Sequence, residues 1–215
     1  MQPKPIKPPY GFAIPGTNWV FIHITKTGGT SLRKAVRLPE IKKTGHEKHL
    51  WVHDFEQEFD SLEEFKFWTV VRNPYDRIRS MWKYRLQKGD CNHSFEEFLR
   101  NTVSSKKGRN LRPQSEYMKD KEGRPHIHCV MHFENFSEGL RVFGEKIGVP
   151  DLAQNLPQIN VNTYENNLVD AYTDEMMEIV RNLYASDFEM FGYNPDSLTD
   201  LSHDPSRAQI KTLPW

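Results

Sequence analysis

Only two cysteines, Cys91 and Cys129, occur in the 215 residues. That is too few for a disulfide framework and fits a reducing compartment. No apolar run approaches the roughly 18–20 residues of a membrane-spanning helix, and the opening MQPKPIKPPYGF lacks the apolar core of a secretory signal. The expectation is a cytoplasmic protein without a membrane span. An excess of one charge is missing too. The 29 Lys and Arg stand against 29 Asp and Glu, with an isoelectric point near 7.1, which argues against a nucleic-acid partner. Internal repeats and low-complexity tracts are absent.

What is present is a polar but core-forming composition. Hydrophobic residues make up 37% and aromatics 12%, with a mean hydropathy of −0.74, so a packed interior is expected rather than disorder. The zero net charge hides a gradient. Residues 1–112 hold 21 basic and 12 acidic side chains, a net of +9, and residues 113–215 hold 8 and 17, a net of −9. A local anion site in the first half is compatible with that split.

Residues 1–18 contain five prolines and two glycines and read as an extended lead-in draped on the surface. Trp19–Ile24 is a short β-rich run that breaks into Thr25-Lys26-Thr27-Gly28-Gly29 before a helix-compatible stretch, Thr30–Leu38. The unit repeats. Phe67–Val71 ends at Arg72-Asn73-Pro74, and Tyr75–Leu86 follows with Ile78, Met81, Trp82 and Leu86 at helical spacing. Asn73 suits the N-cap, Pro74 the first helical position and Asp76 the first turn. Further along, the pattern gives a short helix over Ser94–Asn101, a polar loop over Ser104–Gly108, a third strand over His128–Phe133 and a helix over Phe136–Ile147. A polar connection then leads from Pro150 to Asn167, followed by a helix over Thr173–Ala185 and an aromatic tail with Phe188, Phe191 and Tyr193. Strands alternating with helices imply an α/β fold with a central parallel sheet flanked by helices. One domain over 19–195 is expected, with lead-in 1–18 and tail 196–215.

Ligands of open parallel sheets bind beyond the carboxyl ends of the strands, where helix N-termini offer free N–H groups to anions. Thr25–Ser31 lies there. Gly28 and Gly29 allow close backbone approach to a phosphate, Thr30 and Ser31 add hydroxyls, and Lys26 adds a cation. A small-molecule kinase using ATP and magnesium is one reading, but GxxxxGK[ST] puts the lysine after the last glycine. Here Lys26 precedes both glycines, and no acidic residue follows an apolar strand in the way a magnesium site needs.

With Phe21–Leu32 (FIHITKTGGTSL) joined to Phe67–Ser80 (FWTVVRNPYDRIRS), the sequence resembles the sulfotransferases that use 3′-phosphoadenosine 5′-phosphosulfate (PAPS). It looks nearest to the branch holding the heparan sulfate 2-O and chondroitin-type carbohydrate enzymes and small bacterial and viral homologues. Further matching pieces are Arg112-Pro113-Gln114, His132–Phe136, Val161-Asn162, Asp187-Phe188 and Phe191-Gly192-Tyr193. The resemblance implies a P-loop-NTPase-like sulfotransferase domain. It assigns Lys26, Thr27, Gly28, Gly29, Thr30 and Ser31 to the 5′-phosphosulfate and Arg72 and Ser80 to the 3′-phosphate. Lys26 would stabilise the leaving phosphate, since sulfuryl transfer builds charge on the bridging oxygen. Arg77 and Arg79 stay outside the binding set, as solvated helix residues.

A hydroxyl acceptor calls for a general base, and neutral His suits pH 7. Among nine histidines, His49 stands at the position that resembles the base of the carbohydrate 2-O-sulfotransferases. His46 and His53 are the alternatives. The acceptor is expected to be a carbohydrate hydroxyl and the reaction to need no metal, with His126, His128 and Cys129 a weak zinc pattern lacking a second ligand pair. Trp51, Trp68 and Trp82 are core candidates before they are stacking platforms for a base or sugar. Two departures from the family pattern stand out. Thr25 replaces the usual proline before the lysine, which could loosen the loop, and Arg79 replaces an apolar residue before the serine. A non-catalytic nucleotide- or glycan-binding module is the third reading.

Overall fold

The computed structural model describes residues 12–38, 49–57, 59, 61–105, 109–154, 168–200, 202 and 204. His46, Val161-Asn162, most of the Pro150–Asn167 connection and most of the lead-in and tail lie outside those residues.

Three parallel strands, β1 (Trp19–Ile22), β2 (Lys66–Val71) and β3 (Cys129–His132), form a sheet in the order β1-β2-β3. Phe21 pairs with Trp68, and Trp68 with Cys129. Both faces are covered, so the strands read as continuous apolar runs instead of alternating with polar residues. Side-chain alternation still divides the core. Phe21, Trp68, Val70, Cys129 and Met131 pack with Leu32, Leu140 and Phe143 on one face, and Val20, Ile22, Phe67, Val71 and Val130 pack with Tyr75, Ile78, Leu99, Val180 and Phe191 on the other.

The helices that supply this cover are α1 (Gly29–Ala35), α2 (Val52–Phe55), α3 (Pro74–Lys88), α4 (Phe95–Ser105), α5 (Phe136–Lys146), α6 (Leu168–Ala171), α7 (Asp174–Leu183) and α8 (Ala185–Phe191). α3 starts where its sequence says it should. Asn73 Oδ1 accepts the Tyr75 N–H at 3.0 Å, Pro74 takes the first position, and Gly89 closes the helix at φ 76°.

The architecture is the expected α/β one, with corrections in detail. Order begins before Trp19: Phe12 and Ile14 are buried and Ala13 bridges to Val20, because two apolar side chains outweigh the surrounding prolines. The first strand stops at Ile22, where His23 and Ile24 turn toward the loop, and the third strand is shorter than His128–Phe133. Helix α4 runs on to Ser105. The helix expected over Thr173–Ala185 breaks at Tyr184 into α7 and α8, and the aromatic tail is helical through Phe191. Among the described residues, no helix is long and apolar enough to cross a membrane.

Candidate active site

The loop between β1 and α1 forms one wall of a cavity of about 520 Å³. Thr25, Lys26, Gly28, Gly29, Thr30 and Ser31 line it together with His23, His49, Met81, Tyr84 and Asn110. All of them precede residue 113, in the basic half of the chain. The first-turn N–H groups of a helix lack intrahelical acceptors, so α1 presents Gly29–Ser31 amides here beside the Thr30 and Ser31 hydroxyls. Thr27 is fully buried, its hydroxyl donating to Ile24 O at 2.9 Å. It shapes the loop and does not line the cavity.

Lys26 adopts φ 66°, a left-handed conformation that a non-glycine residue holds only when its surroundings fix it. Two contacts do so. Its carbonyl accepts Arg72 Nη1 at 3.1 Å, and its ammonium lies 4.5 Å from the centre of the Tyr84 ring. Desolvation, and then the nearby Arg72 charge, lower the Lys26 pKa from 10.5. The two glycines have a reason beyond ligand approach. A Cβ on Gly28 would fall 2.9 Å from Phe133, and one on Gly29 would fall 2.1 Å from the His23 ring. The space each would fill holds an aromatic ring of the protein itself.

His49 Nδ1 lies 2.8 Å from the His23 carbonyl. A carbonyl only accepts, so Nδ1 carries the hydrogen and the neutral ring keeps its lone pair on Nε2. His53 packs on Trp51 and lies 3.6 Å from Asp54, away from the cavity lining. Trp68 is fully buried in the core, Trp51 packs on Tyr117, and Trp82 on Phe95.

Arg72 and Ser80 are buried and do not line this cavity. The Arg72 fork already contacts Asp76, with Nε at 2.7 Å and Nη2 at 2.5 Å, and the guanidinium lies 4.4 Å from the Phe133 ring centre. The backbone around it is held from the acidic half of the chain. Gln114 Oε1 accepts the Arg72 N–H and its Nε2 donates to the Arg72 carbonyl. Asp187, fully buried, accepts the N–H groups of Gln114 and Ser115. Glu134 accepts the Asn73 N–H at 2.8 Å and the Tyr193 hydroxyl at 2.9 Å. Burial pushes the Glu134 carboxyl up to about 7 despite those donors. Glu134 follows the apolar strand β3, but its oxygens serve this scaffold.

Arg77 and Arg79 are not solvated: both are buried. Arg77 donates to three carbonyls, Thr25 O at 3.2 Å, Arg112 O at 3.2 Å and Asn110 O at 3.0 Å. It clamps the β1 loop to the segment that supplies Asn110. Thr25 does not loosen that loop, because its hydroxyl donates to Asn110 O at 2.9 Å. Sequence reasoning passed over His23, Asn110, Met81 and Tyr84. His23 had a usable signal, a histidine at the carboxyl end of the first strand. Asn110 had none, because a fold contact alone brings it 85 positions back to Thr25. Among the described residues, no three His, Cys, Asp or Glu side chains are placed to hold a metal. Cys129 is buried, which pushes its thiol up to about 12.

Comparison with curated proteins and with solved structures gives no match. A protein-family model described as "Sulfotransferase family" matches residues 13–194. Those limits run from the bridge that precedes β1 to just past Tyr193, and so take in the cavity wall and all the side chains that brace the Arg72 turn. The match covers most of the chain, and the chain belongs to the sulfotransferase family, whose reaction is the transfer of a sulfuryl group.

Proposed function

We propose that the donor is PAPS, that the acceptor hydroxyl belongs to a carbohydrate, and that His49 and Lys26 carry the chemistry. The observation that supports this most is that one cavity is lined by His49, Lys26 and the hydroxyls of Thr30 and Ser31. A base and an anion-stabilising group therefore share one space, as in-line transfer requires. The donor set is cationic and rich in N–H and O–H, which suits a phosphosulfate. Lys26, Thr30, Ser31 and the amides at Gly28 and Gly29 would hold it, with Thr27 fixing the loop from beneath. Arg72 and Ser80 are assigned to the 3′-phosphate on motif order alone.

His49 Nε2 takes the proton from the acceptor hydroxyl as its oxygen bonds to sulfur. Lys26 offsets the charge that gathers on the bridging oxygen as the bond from sulfur to that oxygen breaks. The products are a sulfate ester and 3′-phosphoadenosine 5′-phosphate. The carbohydrate acceptor rests on the resemblance of the His49 segment to the carbohydrate 2-O-sulfotransferases.

The test is radiolabelled PAPS with a panel of glycans and simple alcohols, joined to calorimetry with 3′-phosphoadenosine 5′-phosphate and with ATP. Label transfer to a glycan and preferential binding of the bisphosphate nucleotide are expected. Transfer to no acceptor, with no binding of the bisphosphate, would overturn the reading. Tighter binding of ATP would favour a kinase.

A further inference from the structure

We propose that His23 is the positioning residue for the His49 base, coupling it to the glycine turn of the anion loop. This rests on the proposed role of His49. A column of rings joins the two histidines to the sheet. Fully buried Trp68 lies 4.7 Å from Phe21, Phe21 stacks on His23 at 5.5 Å and 22°, and His23 lies 4.3 Å from His49. The column runs from the sheet interior to the cavity and ends on the base. His23 touches three things at once. Its carbonyl accepts His49 Nδ1–H, its ring packs on the His49 ring, and its Cδ2–Nε2 edge fills the space a side chain on Gly29 would need.

The geometry separates two functions of this residue. The backbone carbonyl sets the His49 tautomer and survives any substitution of the side chain. The ring sets where the imidazole of His49 sits relative to the loop that receives the leaving group. A misplaced base costs turnover far more than binding, because the proton moves only in the transition state. An ångström of displacement is enough to cost about 10²-fold.

His23→Ala is therefore expected to lower kcat by about 30-fold or more, while the KM for PAPS and the calorimetric Kd of 3′-phosphoadenosine 5′-phosphate stay within about threefold. The retained Kd also reports that the fold and anion loop are intact. Gly29→Ala alone should abolish nucleotide binding, since its methyl meets the His23 ring at 2.1 Å. The double variant His23→Ala/Gly29→Ala should recover nucleotide binding and still lack turnover, because volume is restored and the ring is not. Wild-type kcat in His23→Ala, an equal loss of kcat and nucleotide affinity, or recovery of kcat in the double variant would each overturn the proposal. Wild-type protein that neither binds nucleotide nor transfers label would instead remove the functional reading beneath it.

Discussion

The first two strand-to-helix connections of the sheet look alike in sequence and are built in opposite ways. The segment after β1, Thr25–Gly28, faces a cavity and carries a left-handed lysine with its ammonium on an aromatic ring. The segment after β2, Arg72-Asn73, faces inward. Its N–H and carbonyl groups are bonded by Gln114 and Glu134, Gln114 is held in turn by Asp187, and Arg72 and Asn73 are almost wholly buried. Two arginines join the segments, Arg72 through the Lys26 carbonyl and Arg77 through the Thr25 carbonyl. The anchored turn acts as a fixed frame, and the open loop is aimed from it. Division of labour between parts of the chain follows. Among the described residues, the basic half supplies every group on the cavity wall, and the acidic half supplies the carboxylates of Glu134 and Asp187 behind it.

If that division holds, damage to the frame shows in stability and damage to the loop shows in activity. The largest effect is expected from Asp187→Ala, which strands the N–H groups of Gln114 and Ser115 and the Gln114 amide in the interior. Loss of a buried, hydrogen-bonded carboxylate costs about 3–5 kcal/mol, readable by urea unfolding, and a loss below about 1 kcal/mol would erase the contrast. Lys26→Ala should do the reverse. Sulfuryl transfer falls by about 10²–10³-fold, and the melting temperature stays unchanged.

Glu134 adds a pH signature to the frame alone. Its carboxyl titrates at about 7 in the folded protein, from an ordinary value of 4.5, because burial disfavours the charge. Between those values the native state holds a proton that the unfolded chain has released. The stability that this carboxyl contributes is therefore greatest at acid pH, declines as pH rises from about 4.5 to about 7, and is level above that. In Glu134→Gln the group cannot titrate. The stability of the wild type relative to Glu134→Gln should accordingly drop by roughly 2 kcal/mol between pH 5 and pH 7.5. A pH-independent difference would mean that Glu134 is charged throughout.

Local chemistry was the legible part of the sequence. The N-cap and proline of α3, the glycine turn of α1 and the apolar strand runs each announce themselves within a few residues, and they were enough for the parallel α/β fold and the cavity loop. Burial of charge was not legible. Arg77 looks like any helix-surface arginine until the Asn110 and Arg112 carbonyls arrive from a distant segment. Glu134 and Asp187 look like ordinary exposed acids because their partners, Asn73 and Gln114, are 61 and 73 residues away. His49 was reached by resemblance, and its tautomer only by the carbonyl of His23. The resemblance assigns Arg72 to a phosphate but gives no sign that its guanidinium also meets Asp76, one helical turn on.

Thr25 marks the boundary between frame and loop, and the smallest effect is expected there. It stands where the motif this sequence resembles has proline, and a proline would fix φ without offering a hydroxyl. In this chain the loop is tied instead by a side-chain bond from Thr25 to Asn110 O, an acceptor that also receives Arg77 Nη2 at 3.0 Å. Thr25→Val keeps the shape and removes the donor, while Arg77 still satisfies the carbonyl. The cost is then that hydrogen bond and the long contact from Arg77 Nη2 to the Thr25 hydroxyl at 3.5 Å, together about 1 kcal/mol by thermal unfolding. Because Asn110 also lines the cavity, nucleotide affinity should weaken as well, by a few-fold in calorimetry. A stability loss without any change in affinity would place Thr25 wholly in the frame, and a loss of affinity alone would place it in the loop.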